Sequence, residues 1–107
     1  MTEAATLYAS QAPADESETA RQISKVCDDL RNMLLLKNAK YGDSALEPSR
    51  IFSRADPIEQ IRIRIDDKLK RIANRRDDED EDPEWDLMGY LILLRIARIR
   101  AKREGAA

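Results

Sequence analysis

The 107-residue sequence predicts an all-α fold, a bundle of three main helices that is completed by oligomerisation. Apolar residues recur at three- and four-residue steps in three segments, which is the spacing of one face of a helix. Two of the segments open with an Asp-Pro pair, at residues 56–57 and 82–83, and this pair suits an N-cap followed by the first helical position. The third segment is apolar around its whole circumference, which predicts burial against a second copy of the chain.

The first helix is predicted from about Ser17, a suitable N-cap, to Lys40. Gly42 ends it, because a residue with a positive φ is common directly after a helix. Residues 1–16 are small and polar and show no periodicity, so we expect a disordered N-terminal tail before a helical domain at 17–104. The apolar face of the first helix consists of Ile23, Val26, Cys27, Leu30, Met33 and Leu34.

The second helix is predicted to begin at Asp56, with proline and glutamate at the positions that complete a capping box. Isoleucine and arginine alternate over 61–65 as in a strand, but the cap and the continuing apolar stripe decide for a helix. The loop before it, residues 43–55, is long for so small a domain. We expect Ile51 and Phe52 to hold this loop against the core.

The third helix is predicted from the Asp82-Pro83 pair to about Arg103, after an acidic linker at 76–82. Between residues 87 and 97 apolar side chains occupy the whole helical wheel, and two partner helices from one chain cannot surround it. A large apolar patch left on a monomer would favour aggregation. The sequence therefore predicts a dimer or tetramer whose interface includes Leu87, Leu91 and Leu94.

Composition excludes several classes of function. The net charge of −2 argues against a dedicated nucleic-acid binder, because neutralising phosphates requires a net basic surface. The absence of histidine removes the commonest general base and every imidazole metal site. The chain has a single cysteine, Cys27, and no run of about 20 apolar residues that could span a membrane. We expect a cytoplasmic protein with no membrane partner, in the host cytoplasm if a phage encodes it.

Three polar segments could contribute to a binding site, at residues 37–44, 64–71 and 84–90. Each also has a purely structural explanation. Lysines in a last helical turn and acids in a first turn complement the helix dipole. Opposite charges along the second helix form surface salt bridges.

Among these polar residues, Asp86 is the one whose position is least explained by the helix dipole alone. It shares a helical face with Tyr90 on the most apolar helix of the chain. A carboxylate in such surroundings needs a cation, hydrogen bonds or a metal as its partner.

The strings KNAKYGDSALEPSRIFS, RIDDKLKRI and EDPEWDLMGYLILL together resemble a group of small proteins common in bacteriophage genomes. That group has a Lys-Asn-x-x-Tyr-Gly-Asp/Asn-Ser element, an Arg-Ile-x-Asp-Lys-x-x-Arg-Ile helix and an Asp-Leu-x-Gly-Tyr helix. Its members are described as nucleotide-modification-associated and are distantly similar to the MazG-like, all-α nucleoside triphosphate pyrophosphohydrolases. The resemblance covers about residues 30–97.

The resemblance implies a MazG-like bundle in which Mg²⁺, held by carboxylates of two adjacent helices, positions a nucleotide's phosphates for attack by water. The resemblance implies that Asp67 and Asp86 are both the metal ligands and the catalytic residues. The nucleotide-binding residues would be Lys37, Asn38, Tyr41, Asp43, Ser44, Lys68, Arg71 and Tyr90.

Two acidic positions of the MazG-like pattern are missing, because Arg62 follows Glu59 and Gly89 follows Asp86 at three-residue spacing. The sequence therefore leaves three functions open. The first is a magnesium-dependent nucleotide pyrophosphohydrolase that acts on a phosphoanhydride. The second is a non-catalytic nucleotide binder that sequesters a nucleotide signal, and the third is a structural oligomeric adaptor.

Overall fold

The computed structural model describes residues 8, 11, 13–14, 16–48, 50–75, 80 and 82–105. From residue 16 onward these residues form three helices and no strand, which confirms the all-α prediction. The helices are α1 (Glu18–Tyr41), α2 (Pro57–Ala73) and α3 (Pro83–Arg103). The predicted tail at 1–16 and the predicted acidic linker at 76–82 lie mostly outside the described residues.

Each helix begins at the N-cap that the sequence predicts. In all three cases the capping side chain accepts a hydrogen bond from the backbone N–H three residues later, which satisfies one of the free donors of the first turn. The three bonds are Ala20 N–H to Ser17 Oγ at 2.9 Å, Glu59 N–H to Asp56 Oδ1 at 2.9 Å, and Trp85 N–H to Asp82 Oδ1 at 3.1 Å.

α1 ends at Gly42, whose N–H donates to the Asn38 carbonyl oxygen at 2.8 Å. Gly42 has φ 67° and ψ −156°, a conformation that is open essentially to glycine alone. The chain then turns tightly, and the Asp43 carbonyl oxygen accepts hydrogen bonds from the N–H groups of Leu46 and Glu47 at 2.9 and 2.7 Å. This turn places the side chain of Leu46 in the core.

The core lies mainly between α2 and α3, which pack along much of their length. Its buried members are Leu46, Ile61 and Ala97, and the apolar residues packed around them are Ile58, Ile65, Tyr90, Leu93, Leu94 and Ile96. The prediction that Ile51 and Phe52 hold the loop against this core is wrong, since Phe52 is 98% exposed. Leu46 occupies that role because the turn after α1 brings it inward.

α1 packs against α3, and in the described part of the chain its backbone does not approach that of α2. The contact is centred on Gly89 of α3. A Cβ atom at this position would meet Leu34 Cδ2 at 3.1 Å and Met33 Cε at 3.6 Å. The missing side chain therefore lets the two helices lie close together at the N-terminal half of α3.

The outer face of α3 is partly apolar and solvent-exposed. Met88, Leu91 and Ile92 have 37%, 49% and 39% of their surface exposed, whereas Leu94 packs against the core. Self-association through this helix stays a prediction. Of the helices that the structure describes, none combines the length and the apolar character that a membrane crossing requires.

Candidate functional site

A cavity of about 300 Å³ lies where the C-terminal half of α1, the turn that follows it, α2 and α3 meet. A pocket of this size is at the lower end of the range for small-molecule sites. Its polar lining consists of Lys37, Asn38, Tyr41, Asp43, Ser44, Lys68, Asp86 and Tyr90. Its apolar lining consists of Met33, Leu34, Ala45, Leu46 and Leu93, together with Gly42 and Gly89.

Two lysines converge on Asp86 at one end of the cavity. Lys68 Nζ lies 3.4 Å from Asp86 Oδ2, and Lys37 Nζ lies 3.8 Å from Asp86 Oδ1. Each of the three residues comes from a different helix, so only the assembled bundle creates this cluster. The side chain of Lys68 is 14% exposed and that of Asp86 is 26% exposed, so both side chains are partly buried.

Asp86 lies in the first turn of α3, where the helix dipole favours a negative charge. Lys37 lies in the penultimate turn of α1, so this helix brings its cation to the cavity near its own C-terminal end. Both ion-pair distances exceed the length of a direct charge-assisted hydrogen bond, which is about 2.8 Å. Neither ammonium group therefore makes a short hydrogen bond to Asp86.

A second polar cluster forms around Asp43 at the end of α1. Asn38 Nδ2 donates to Asp43 Oδ1 at 2.7 Å and lies 3.3 Å from the Gly42 carbonyl oxygen. Arg100 Nη1 of α3 lies 3.9 Å from Asp43 Oδ2. This cluster fixes the turn after α1 and leaves one cation, Arg100, near the rim of the cavity.

The wall between the two clusters offers apolar and aromatic surface. Tyr90 and Leu93 of α3 line the cavity together with Met33 and Leu34 of α1, which lie over Gly89. Tyr41 is 61% exposed, and Lys40 Nζ lies 5.3 Å from the centre of its ring. A flat aromatic ligand group could pack against this wall while an attached anion reaches the lysines.

The structure brings together eight of the ten site residues that the sequence singles out, and these eight are the polar lining given above. The other two, Asp67 and Arg71, are not part of the lining. They pair with each other along the exposed side of α2, where Arg71 Nε lies 3.1 Å from Asp67 Oδ2. The structure thus brings Asp86 to the cavity without bringing Asp67 to it.

Sequence reasoning placed Leu93 on the face of Asp86 but missed Arg100. Arg100 follows Leu93 by seven residues, as Leu93 follows Asp86, and residues seven apart lie on nearly the same face of a helix. Extending the face of Asp86 along α3 would have found Arg100. The tight approach of α1 at Gly89 leaves no comparable signal, because an isolated glycine within a helix has several explanations.

The two described carboxylates that line the cavity, Asp43 and Asp86, do not make up a magnesium site by themselves. Mg²⁺ prefers a nearly octahedral shell of oxygens at about 2.1 Å. Asp86 already faces two ammonium groups, and Asp67 pairs with Arg71 elsewhere. Within the residues that the structure describes, no group of three or more acidic, cysteine or histidine side chains is close enough to hold a metal ion.

Comparison of the chain with known protein families, curated proteins and solved structures finds no match in any of the three. The cavity geometry and the charges around it are therefore the basis for a functional proposal.

Proposed function

We propose that the chain is a nucleotide-binding protein whose ligand occupies the cavity between α1, α2 and α3 without being hydrolysed. The observation that carries the proposal is the convergence of Lys37 and Lys68, from two helices, beside an apolar wall. The phosphate would lie between the two ammonium groups. The base would pack against Tyr90 and Leu34.

The two lysines suit a phosphate group. Their ammonium groups come from two helices and lie within 4 Å of one carboxylate. A phosphate beside them would accept several charge-assisted hydrogen bonds at once.

The magnesium-dependent pyrophosphohydrolase implied by the family resemblance has less support. Its metal would have to be held by Asp67 and Asp86, and these carboxylates have different cationic partners. Binding without turnover, as in a protein that sequesters a nucleotide signal, needs only the lysines, the aromatic wall and the turn at Asp43.

Thermal-shift measurements with nucleoside mono-, di- and triphosphates and cyclic nucleotides test the proposal. A ligand that binds only the folded state stabilises it by about 2.7 kcal/mol at one hundred times its Kd. We expect at least one of these nucleotides to raise the melting temperature. A structural adaptor without a ligand site would show no shift with any of them.

Substitution of Lys68 tests whether the nucleotide binds in the cavity. Lys68→Ala removes one of the two converging cations and should weaken nucleotide binding by about 1–3 kcal/mol, the size of a charge-assisted hydrogen bond. Lys70→Ala is the matched control, because Lys70 is an exposed lysine on the same helix that does not line the cavity. Equal effects of the two substitutions in calorimetry would contradict the assignment.

A turnover assay separates binding from hydrolysis. Incubation of the protein with Mg²⁺ and each bound nucleotide should leave the phosphoanhydride intact. Release of pyrophosphate or phosphate that disappears in Asp86→Asn would instead establish the hydrolase.

Self-association is a separate part of the proposal. The all-round apolar sequence of α3 supports it, as does the exposure of Met88, Leu91 and Ile92 on its outer face. A dimer or tetramer would cover that face and leave the cavity on the opposite side of α3 accessible.

A further inference from the structure

We infer that the cavity selects nucleotides that carry a single phosphate group over nucleoside triphosphates, and that Asp86 determines this specificity. The inference rests on the proposed nucleotide binding and adds the class of ligand. It follows from two observations, the balance of positive and negative charge among the residues that line the cavity and the convergence of its two lysines on one point.

The charges that line the cavity cancel. Among the lining residues, Lys37 and Lys68 are balanced by Asp86 and Asp43. Arg100, which lies 3.9 Å from Asp43, and Lys40, whose Nζ lies 5.3 Å from the centre of the Tyr41 ring, are outside the lining. A phosphodiester brings about one negative charge and a phosphate monoester about two, whereas a triphosphate brings about four to a lining without excess positive charge.

The positions of the cations lead to the same class of ligand. Both ammonium groups lie within 4 Å of a single carboxylate, one at each of its oxygens. They therefore define one anion position. A triphosphate chain needs cations arranged along its length, as in phosphate-binding loops where several donors follow successive phosphates. The third cation, Arg100, is held at the other polar cluster by Asp43.

Asp86 is the residue that penalises additional phosphates. Its side chain is partly buried, so its repulsion of a nearby anion is screened less than that of a fully exposed carboxylate. One phosphate can share the two lysines with Asp86. Each further phosphate adds repulsion from the same carboxylate without meeting a new cation among the lining residues.

Calorimetric titration of the full chain tests the inference. The probes are the four common nucleoside monophosphates, their 3′,5′-cyclic forms and the matching triphosphates, each with and without magnesium. We expect the wild-type protein to bind at least one monophosphate or cyclic form at least tenfold more tightly than its triphosphate. Asp86→Asn keeps the shape of the side chain and removes its charge. The ratio of the triphosphate Kd to the monophosphate or cyclic-nucleotide Kd should therefore fall by at least fivefold, mainly through tighter triphosphate binding.

Two further variants isolate the charge of Asp86. Asp67→Asn removes a carboxylate that pairs with Arg71 away from the cavity, so the ratio should stay at the wild-type value. Asp86→Glu keeps the charge and should retain the preference for one phosphate. Thermal melting of each variant verifies that it is folded before its affinities are compared.

The possible results separate this inference from the proposed function. A wild-type protein that binds triphosphates as tightly as monophosphates overturns the selectivity and leaves nucleotide binding intact. An Asp86→Asn variant that changes both affinities equally overturns the role of Asp86. Failure of every nucleotide to bind the wild-type protein overturns the proposed function and this inference together.

Discussion

In α1, Leu30 is 9% exposed, whereas Val26 and Ile23, one and two turns earlier on the same helical face, are 47% and 59% exposed. The two halves of this helix share one apolar stripe and have different surroundings. Beyond Leu30, Met33 and Leu34 lie against Gly89 of α3, and Lys37 and Tyr41 line the cavity. An amphipathic pattern thus predicts a helix and the face that can be buried, but not how much of that face finds a partner.

The largest difference between the two halves should appear in stability. Leu30→Ala should lower the free energy of unfolding by about 2–5 kcal/mol, because it removes buried methyl groups and leaves a cavity. Ile23→Ala, on the exposed half of the same stripe, should change it by about 0.5 kcal/mol or less. Urea denaturation followed by circular dichroism measures both. Similar losses would show that Ile23 is also packed, by a second copy of the chain.

A smaller difference is expected at the helix caps. Ser17 caps the exposed half of α1, and Asp82 caps α3, which packs against both other helices. Removal of a cap costs about 1 kcal/mol. Asp82→Ala should therefore lower the global free energy of unfolding by about that amount. Ser17→Ala should mainly increase local opening of the first turns of α1.

Amide hydrogen exchange distinguishes these two effects. In Ser17→Ala, faster exchange should be confined to the first turns of α1, and the α3 amides should keep their protection. Faster exchange throughout the chain in this variant would mean that the first half of α1 unfolds together with the core.

The smallest effect on the folded chain is expected from substitutions on the outer surface. Leu91→Ser replaces a half-exposed residue of α3 and should change the stability of the monomer by about 0.5 kcal/mol or less. If α3 forms the predicted interface, light scattering should nevertheless show a lower molecular mass for this variant than for the wild type.

Ile23→Ser is the matched control for the exposed half of α1. It should leave the molecular mass at the wild-type value. A mass that falls with Ile23→Ser and not with Leu91→Ser would move the interface from α3 to α1, and a wild-type protein that is monomeric at micromolar concentration would remove the interface altogether.

Much of the fold could be predicted from local chemistry. The three N-caps and the glycine that ends α1 depend on residues within a few positions of one another, and all are found as predicted. The predicted apolar face of α1 is buried only in part, since Ile23, Val26 and Cys27 are exposed. The pairing of Asp67 with Arg71, one helical turn apart, is also local, whereas the family resemblance assigned both residues to the site. Such features follow from the period of the helix and from the hydrogen-bonding capacity of single side chains.

The site required more than local chemistry. The sequence singled out Lys37, Lys68 and Asp86 in three separate polar segments, and a family resemblance assigned them to one site. The distances between these three side chains depend on where α1 crosses α3. The two helices can lie close together there because Gly89 has no side chain. Adjacent residues on a helix point about 100° apart, so Lys68 reaches the cavity whereas Asp67 does not.

The sequence by itself determined three capped helices, their apolar faces and a charge balance that argues against a nucleic-acid binder. Tertiary structure alone decided that Leu46 joins the core, that Phe52 stays exposed and that Arg100 lies beside Asp43. The physical reason is the range of the interactions. Caps and helix faces arise from contacts within one or two turns, whereas the cavity arises from contacts between helices that are far apart along the chain.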